Sequence, residues 1–130
     1  MTKIIQIIGL PCAGKTTLIK QYLSKHPDIK HIDIASFTGK ARQKEYKKKI
    51  INTSGNIIAE SACGVSLKNS EVIELKTDMN IIYERTRKRD KKLDEDYLSL
   101  LKTEMVPSRY TVTKDVFEEL LNKLFNKVNK

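Results

Sequence analysis

The chain has 130 residues, enough for one domain around a single core. At 39% hydrophobic and 32% charged residues its composition is that of a soluble globular protein, and no apolar run approaches the ~20 residues that span a membrane. Its 25 Lys and Arg against 16 Asp and Glu leave a net charge of +9, an excess that favours a polyanionic partner such as nucleic acid.

Ile4–Ile8 is a β-branched run interrupted only by Gln6, and it ends at Gly9. This pattern predicts a buried strand and not a signal peptide. Gly9-Leu-Pro-Cys-Ala-Gly14-Lys15-Thr16 follows and fits G-x-x-x-x-G-K-[ST]. A helix is expected over Lys15–Ser24, stopping near Pro27. Strands are expected at His31–Ala35, Asn56–Glu60, Glu71–Lys76 and Tyr110–Thr113. Helical patterns fill the intervals: Lys40–Ile51; Asp78–Arg89, with Met79, Ile82, Tyr83 and Thr86 on one face; and Glu95–Met105 behind an N-cap at Asp94, with Tyr97, Leu98, Leu101 and Met105 inward. The last helix opens at Thr113 or Lys114, with Val116, Leu120, Leu121, Leu124 and Val128 expected to face the core. Strands that are apolar throughout, alternating with helices, predict an α/β three-layer fold with a parallel sheet of about five strands. Cys12 and Cys63 are too few for a disulfide scaffold and lack metal-ligand spacing, which fits a reduced, intracellular protein.

The glycine-rich stretch between strand and helix is a P-loop. Its backbone N–H groups and helix N-terminus suit a polyphosphate. Gly9, Pro11, Cys12, Ala13, Gly14, Lys15, Thr16 and Thr17 form the expected ATP site. Within it Lys15 reaches the β- and γ-phosphates and Thr16 offers a hydroxyl to Mg²⁺. A GTPase would need D-x-x-G, which is absent, and [NT]-K-x-D, of which Leu75-Lys-Thr-Asp78 lacks the first residue. A motor ATPase would need a second helical domain for which the chain has no length.

In order of elements the chain resembles the small P-loop kinases, the nucleoside/nucleotide, shikimate and polynucleotide kinase group. The stretches Asn56-Ile-Ile-Ala-Glu-Ser-Ala-Cys-Gly64 and Leu93-Asp-Glu-Asp-Tyr-Leu-Ser-Leu-Leu-Lys-Thr-Glu-Met-Val-Pro107 resemble the phage kinases of hydroxymethyluracil in DNA. The resemblance implies ATP and Mg²⁺ as cofactors. It also implies that Asp33, after the second strand, takes the proton of the attacking hydroxyl, with Glu60 holding the Mg²⁺ water shell or serving as base instead. Arg85, Arg87 and Arg89 open a lid-like segment, 85–95, from which at least one guanidinium would close over the phosphates. Arg109 is a further, weaker candidate near the nucleotide base.

The acceptor side of such a kinase lies between the second and third strands. Here that stretch carries Lys40, Arg42, Lys44, Lys47, Lys48 and Lys49 against one acid, Glu45. A phosphodiester backbone suits this field through counterion release, with Phe37 and Tyr46 available to stack on exposed bases. The expected acceptor is therefore a hydroxyl on nucleic acid, either a strand's 5′ end or a modified DNA base, the latter extruded from its duplex. A small-molecule kinase and a regulatory nucleotide-binding module remain alternatives.

Overall fold

In a computed structural model of the chain, residues 3–10, 14–76, 80–82, 84–85 and 103–126 are described. The first strand, β1 (Ile4–Ile8), is followed by α1 (Lys15–Lys25), β2 (Lys30–Asp33), a 3-10 turn (Ile34–Ser36) and α2 (Arg42–Ile51). Then come β3 (Ile57–Glu60), β4 (Ser70–Leu75), β5 (Tyr110–Val112) and α3 (Lys114–Asn126). All five strands are parallel, in the order β2-β3-β1-β4-β5. The predicted α/β sheet is thus present. Among the described residues no helix is long and apolar enough to cross a membrane.

Alternation along the strands divides the core into two faces. Ile5, Ile7, Ile58 and Ile73 pack with Ile19 and Tyr22 of α1 and with Phe117, Leu121, Leu124 and Phe125 of α3. Ile32, Ile57 and Ala59 pack on the opposite face with Tyr46 and Ile50 of α2. The helical stripe of α3 is rotated from its expected position: Val116 is 43% exposed and Phe117 is buried. Phe117, Leu121, Leu124 and Phe125 keep the i, i+4, i+7, i+8 spacing and bring two aromatic rings inward, which bury more area than Val116 can. Val128, and the expected face of Met79, Tyr83, Thr86, Tyr97, Leu98 and Leu101, lie outside the described residues.

β2 ends two residues earlier than its apolar pattern predicts, because Asp33 Oδ1 accepts the backbone N–H of Ala35 at 2.9 Å and caps the 3-10 turn. Gln6, fully buried at the sheet centre, is the other departure from an apolar strand. Its amide donates to the Val65 carbonyl at 2.8 Å and to Ser70 Oγ at 3.1 Å, and its carbonyl accepts Val65 N–H at 2.9 Å. The side chain thereby supplies the partners that the 61–69 connection lacks as it passes over β1. Gly64 in that connection has φ +77° and faces Val106 and Ile8.

Candidate active site at the carboxyl ends of β1, β2 and β3

β1 is the central strand, and the chain leaves its carboxyl end through Gly9 and Leu10 into the P-loop. Pro11, Cys12 and Ala13 lie outside the described residues. Gly14 caps α1 in the left-handed region, φ +94° and ψ +13°, with no side-chain capping bond to the helix. The first N–H groups of α1 therefore point past a residue with no Cβ, a geometry open to an anion. Lys15 is only 8% exposed, and its ammonium donates to the carbonyl oxygens of Gly9 at 2.6 Å and Leu10 at 3.1 Å. The cation is thus held over the mouth of the loop.

Parallel pairing sets Asp33 of β2 opposite Glu60 of β3, and Ile7 of β1 opposite Glu60 on its other side. This register brings the two carboxylates side by side, and Glu60 reaches the start of α1. Thr16 Oγ1 donates to Glu60 Oε2 at 2.5 Å, so the threonine proton is committed and its oxygen lone pairs stay available to a cation. His31 Nε2 is 2.9 Å from Glu60 Oε1. Burial pushes the Glu60 carboxyl up, but the His31 and Thr16 hydrogen bonds, with the charges of His31 and Lys15, outweigh it and hold the group below its ordinary value. Glu60 is therefore an ionised, nearly buried carboxylate with both oxygens engaged. Asp33 is half-buried, and the donor atoms of His31, Asp33 and Glu60 all lie within 4.8 Å of one another. Thr16 and Glu60 are oxygen donors of the kind that could hold Mg²⁺.

Arg85 lies on the helical stretch that follows β4. A Cβ added to Gly14 would be 3.8 Å from Arg85 Nη1, so this guanidinium stands against the P-loop. Arg87 and Arg89, with most of the lid-like segment, lie outside the described residues. Ile82 is buried with Leu10, and Ala62, Cys63 and Met105 pack around them. One apolar cluster thus joins the P-loop, the end of β3 and both flanks of the 86–102 segment. Burial and Glu104 push the Cys63 thiol up, against a smaller opposing pull from Lys15, so the reduced cysteine packs here as an apolar group.

On the acceptor side the structure corrects one expectation. Tyr46 is fully buried beneath α2 and meets Phe37 edge-on, ring centroids 6.1 Å apart, so it cannot stack on a base. Every third or fourth residue of a surface helix turns inward, and Tyr46 falls on the same stripe as Ile50. Phe37 is half-buried against it. The Ser61 side chain lies beside the Tyr46 hydroxyl, yet among the described residues no group meets hydrogen-bonding distance and angle. Tyr46→Phe is accordingly expected to keep the melting temperature or raise it, by about 1 kcal/mol of stability at most, in a thermal denaturation scan. Lys40, Arg42, Lys44, Lys48 and Lys49 are exposed and Lys47 is half-buried. Arg42 Nε also donates to the Ile34 carbonyl at 3.2 Å, tying α2 to the turn after Asp33.

No family model matches the chain, and no curated protein matches it in sequence. Solved structures do match. Shikimate kinase from Acinetobacter baumannii, in complex with shikimate, superposes with a TM-score of 0.64 at 16% identity, over 100% of this chain and 97% of its own. Shikimate kinase from Aquifex aeolicus gives 0.60 at 15% identity, over 96% and 98%. A gluconokinase from Sinorhizobium meliloti gives 0.54 at 11% identity, over 85% and 81%. The fold is that of the small P-loop kinases.

Two positions read differently once the P-loop kinase fold is known. Arg109 bonds Glu71, level with Ile5, at 3.5 Å, and its N–H reaches the carbonyl of Val72, level with Gln6, below the P-loop end of the sheet. It sits over the Tyr110 ring, 5.7 Å from the centroid, as a surface contact and not as part of the site. His31 is the residue that sequence reasoning missed. Its signal was the spacing in His31-Ile-Asp33, which on a strand sets both polar side chains on one face and Ile32 on the other.

Proposed function

We propose that the protein is an ATP-dependent kinase that transfers the γ-phosphoryl group to a hydroxyl carried by nucleic acid. The observation that supports phosphoryl transfer is the meeting of Lys15, Thr16, Glu60 and Asp33 at the carboxyl ends of three parallel strands, with Arg85 against Gly14. In this reading the triphosphate lies on the N-terminus of α1, and Lys15 turns from the loop carbonyls to its β- and γ-oxygens. Mg²⁺, when bound, supplies charge neutralisation to those phosphates, with Thr16 and, through its water shell, Glu60 as its protein partners. Arg85 faces the charge that spreads over the phosphoryl oxygens in the transition state.

Asp33 is the better base of the two carboxylates. Glu60 has its oxygens committed to Thr16 and His31, whereas one Asp33 oxygen takes the Ala35 N–H and the other is available to the acceptor proton. The acceptor oxygen bonds to the γ-phosphorus, the β–γ bridge bond breaks, ADP leaves, and the proton passes to Asp33. Asp33→Asn is expected to lower kcat by about 10²-fold or more while the KM for ATP stays within about twofold. Unchanged turnover would transfer the base role to Glu60.

The acceptor assignment rests on the exposed cations of α2, which flank the turn that begins at Asp33. Lys44, Lys47 and Lys48 share one helical face by their i, i+3, i+4 spacing. Replacing all three by Gln should raise the KM for a DNA 5′-hydroxyl or hydroxymethyluracil-DNA acceptor and reduce the salt slope of log KM by about 0.7–0.9 for each phosphate no longer neutralised. A second reading, a kinase of a small hydroxylated metabolite, is supported by the full-length match to structures named as shikimate kinases. Labelled ATP offered with DNA and with a panel of nucleosides and hydroxy acids separates the two. Salt-insensitive transfer to a free metabolite would sink the nucleic-acid assignment, and phosphate release only on addition of a protein partner would sink both.

A further inference from the structure

His31 is not needed to explain phosphoryl transfer, yet it is built into the site. It shares a strand face with Asp33, and its Nε2 meets Glu60, a carboxylate 5% exposed. One imidazole nitrogen and two carboxylates, with donor atoms within 4.8 Å of one another, are a mixed nitrogen–oxygen set rather than a purely acidic cluster. Zn²⁺ or Co²⁺ binds such donors at about 2.0–2.2 Å, so small side-chain rotations bring all three onto one ion.

We propose that His31, Asp33 and Glu60 form a binding site for a divalent transition-metal cation that fills without nucleotide. The cation takes the place of the hydrogen bond between His31 Nε2 and Glu60 Oε1; the neutral imidazole binds through the Nε2 lone pair with its hydrogen on Nδ1, and any proton displaced from Nε2 leaves to solvent. Glu60 Oε2 can still accept from Thr16, so occupancy is compatible with the Thr16–Glu60 bond. The imidazole sets this site apart from one selective for Mg²⁺, which favours an all-oxygen sphere.

The test is a Co²⁺ titration of the nucleotide-free full chain, followed by visible absorption, in excess Mg²⁺ and with Zn²⁺ as competitor. One saturable equivalent of Co²⁺, displaced by Zn²⁺ and retained in the Cys12→Ser/Cys63→Ser double variant, is expected. His31→Gln keeps an amide N–H for Glu60 but removes the ligand nitrogen. It should weaken Co²⁺ by at least the roughly 10–100-fold that loss of even an outer partner costs. Equal affinity in His31→Gln, loss of the signal in the cysteine variant, or binding seen only with ATP would each overturn the proposal. ATP binding measured on the same sample keeps the outcomes apart, because a chain that binds ATP but not Co²⁺ leaves the kinase reading standing.

Discussion

Lys15→Ala is expected to lower phosphoryl transfer by about 10³-fold or more, roughly 4 kcal/mol of transition-state stabilisation. The size follows from the lysine's position. Its ammonium is almost buried, held by the Gly9 and Leu10 carbonyls at the mouth of the loop, and it lies close enough to Glu60 to help keep that carboxylate ionised. A charge so sheltered acts in a low local dielectric, where its pull on developing phosphoryl charge is many times that in water. Folding should survive, since the residue opens α1 without packing in either apolar core, so a circular-dichroism melt is expected to stay within a few degrees of wild type. Turnover within tenfold of wild type in an ADP-release assay would reject the P-loop as the donor site.

The second large effect is on stability. A Cβ added at Gly64 would meet Val106 Cγ2 at 2.6 Å, Ile8 Cγ2 at 3.1 Å and Gln6 Oε1 at 3.3 Å, on a backbone with φ +77°. The conformational penalty of about 1–2 kcal/mol and an overpacking penalty of about 1–3 kcal/mol add, so Gly64→Ala should cost about 2–5 kcal/mol. Gly55→Ala isolates the first contribution, because Gly55 has φ +91° and nothing within 4 Å of the added methyl. Urea denaturation of the two variants should therefore differ by about 1–3 kcal/mol, Gly64→Ala being the less stable. Equal midpoints would mean that Val106 and Ile8 move aside freely.

Strand order in space was beyond sequence periodicity, but strand identity was not. Runs such as Ile57-Ile-Ala-Glu60 carry their burial in their composition, and the P-loop between strand and helix fixes the carboxyl end of β1 as the site. The carboxylates at the ends of β2 and β3 could be named from position alone, yet their pairing required the parallel register of Asp33 with Glu60. Where one side chain decides between two faces, sequence reading failed. Tyr46, expected as a stacking platform, is a core ring because α2 docks that face on Ile57 and Ala59. The shift from Val116 to Phe117 has the same origin, because two stripes a residue apart on α3 are both apolar and only the shape of the sheet face selects one. His31 needed a partner 29 residues away to acquire meaning.

Gln6 has a consequence for how a mutational map of this protein would look. It lies fully buried midway along the central strand, with its amide spent on Val65 and Ser70. Leu at this position would fit the sheet but strand the Val65 N–H and carbonyl, loosening the connection whose Ala62 carbonyl holds Gly9 N–H at the root of the P-loop. In a screen scored only by growth or product, position 6 would register beside Lys15 and Thr16, as if it bound the nucleotide. Only a parallel readout of folded protein would show that its contribution is to keep the floor under them in place.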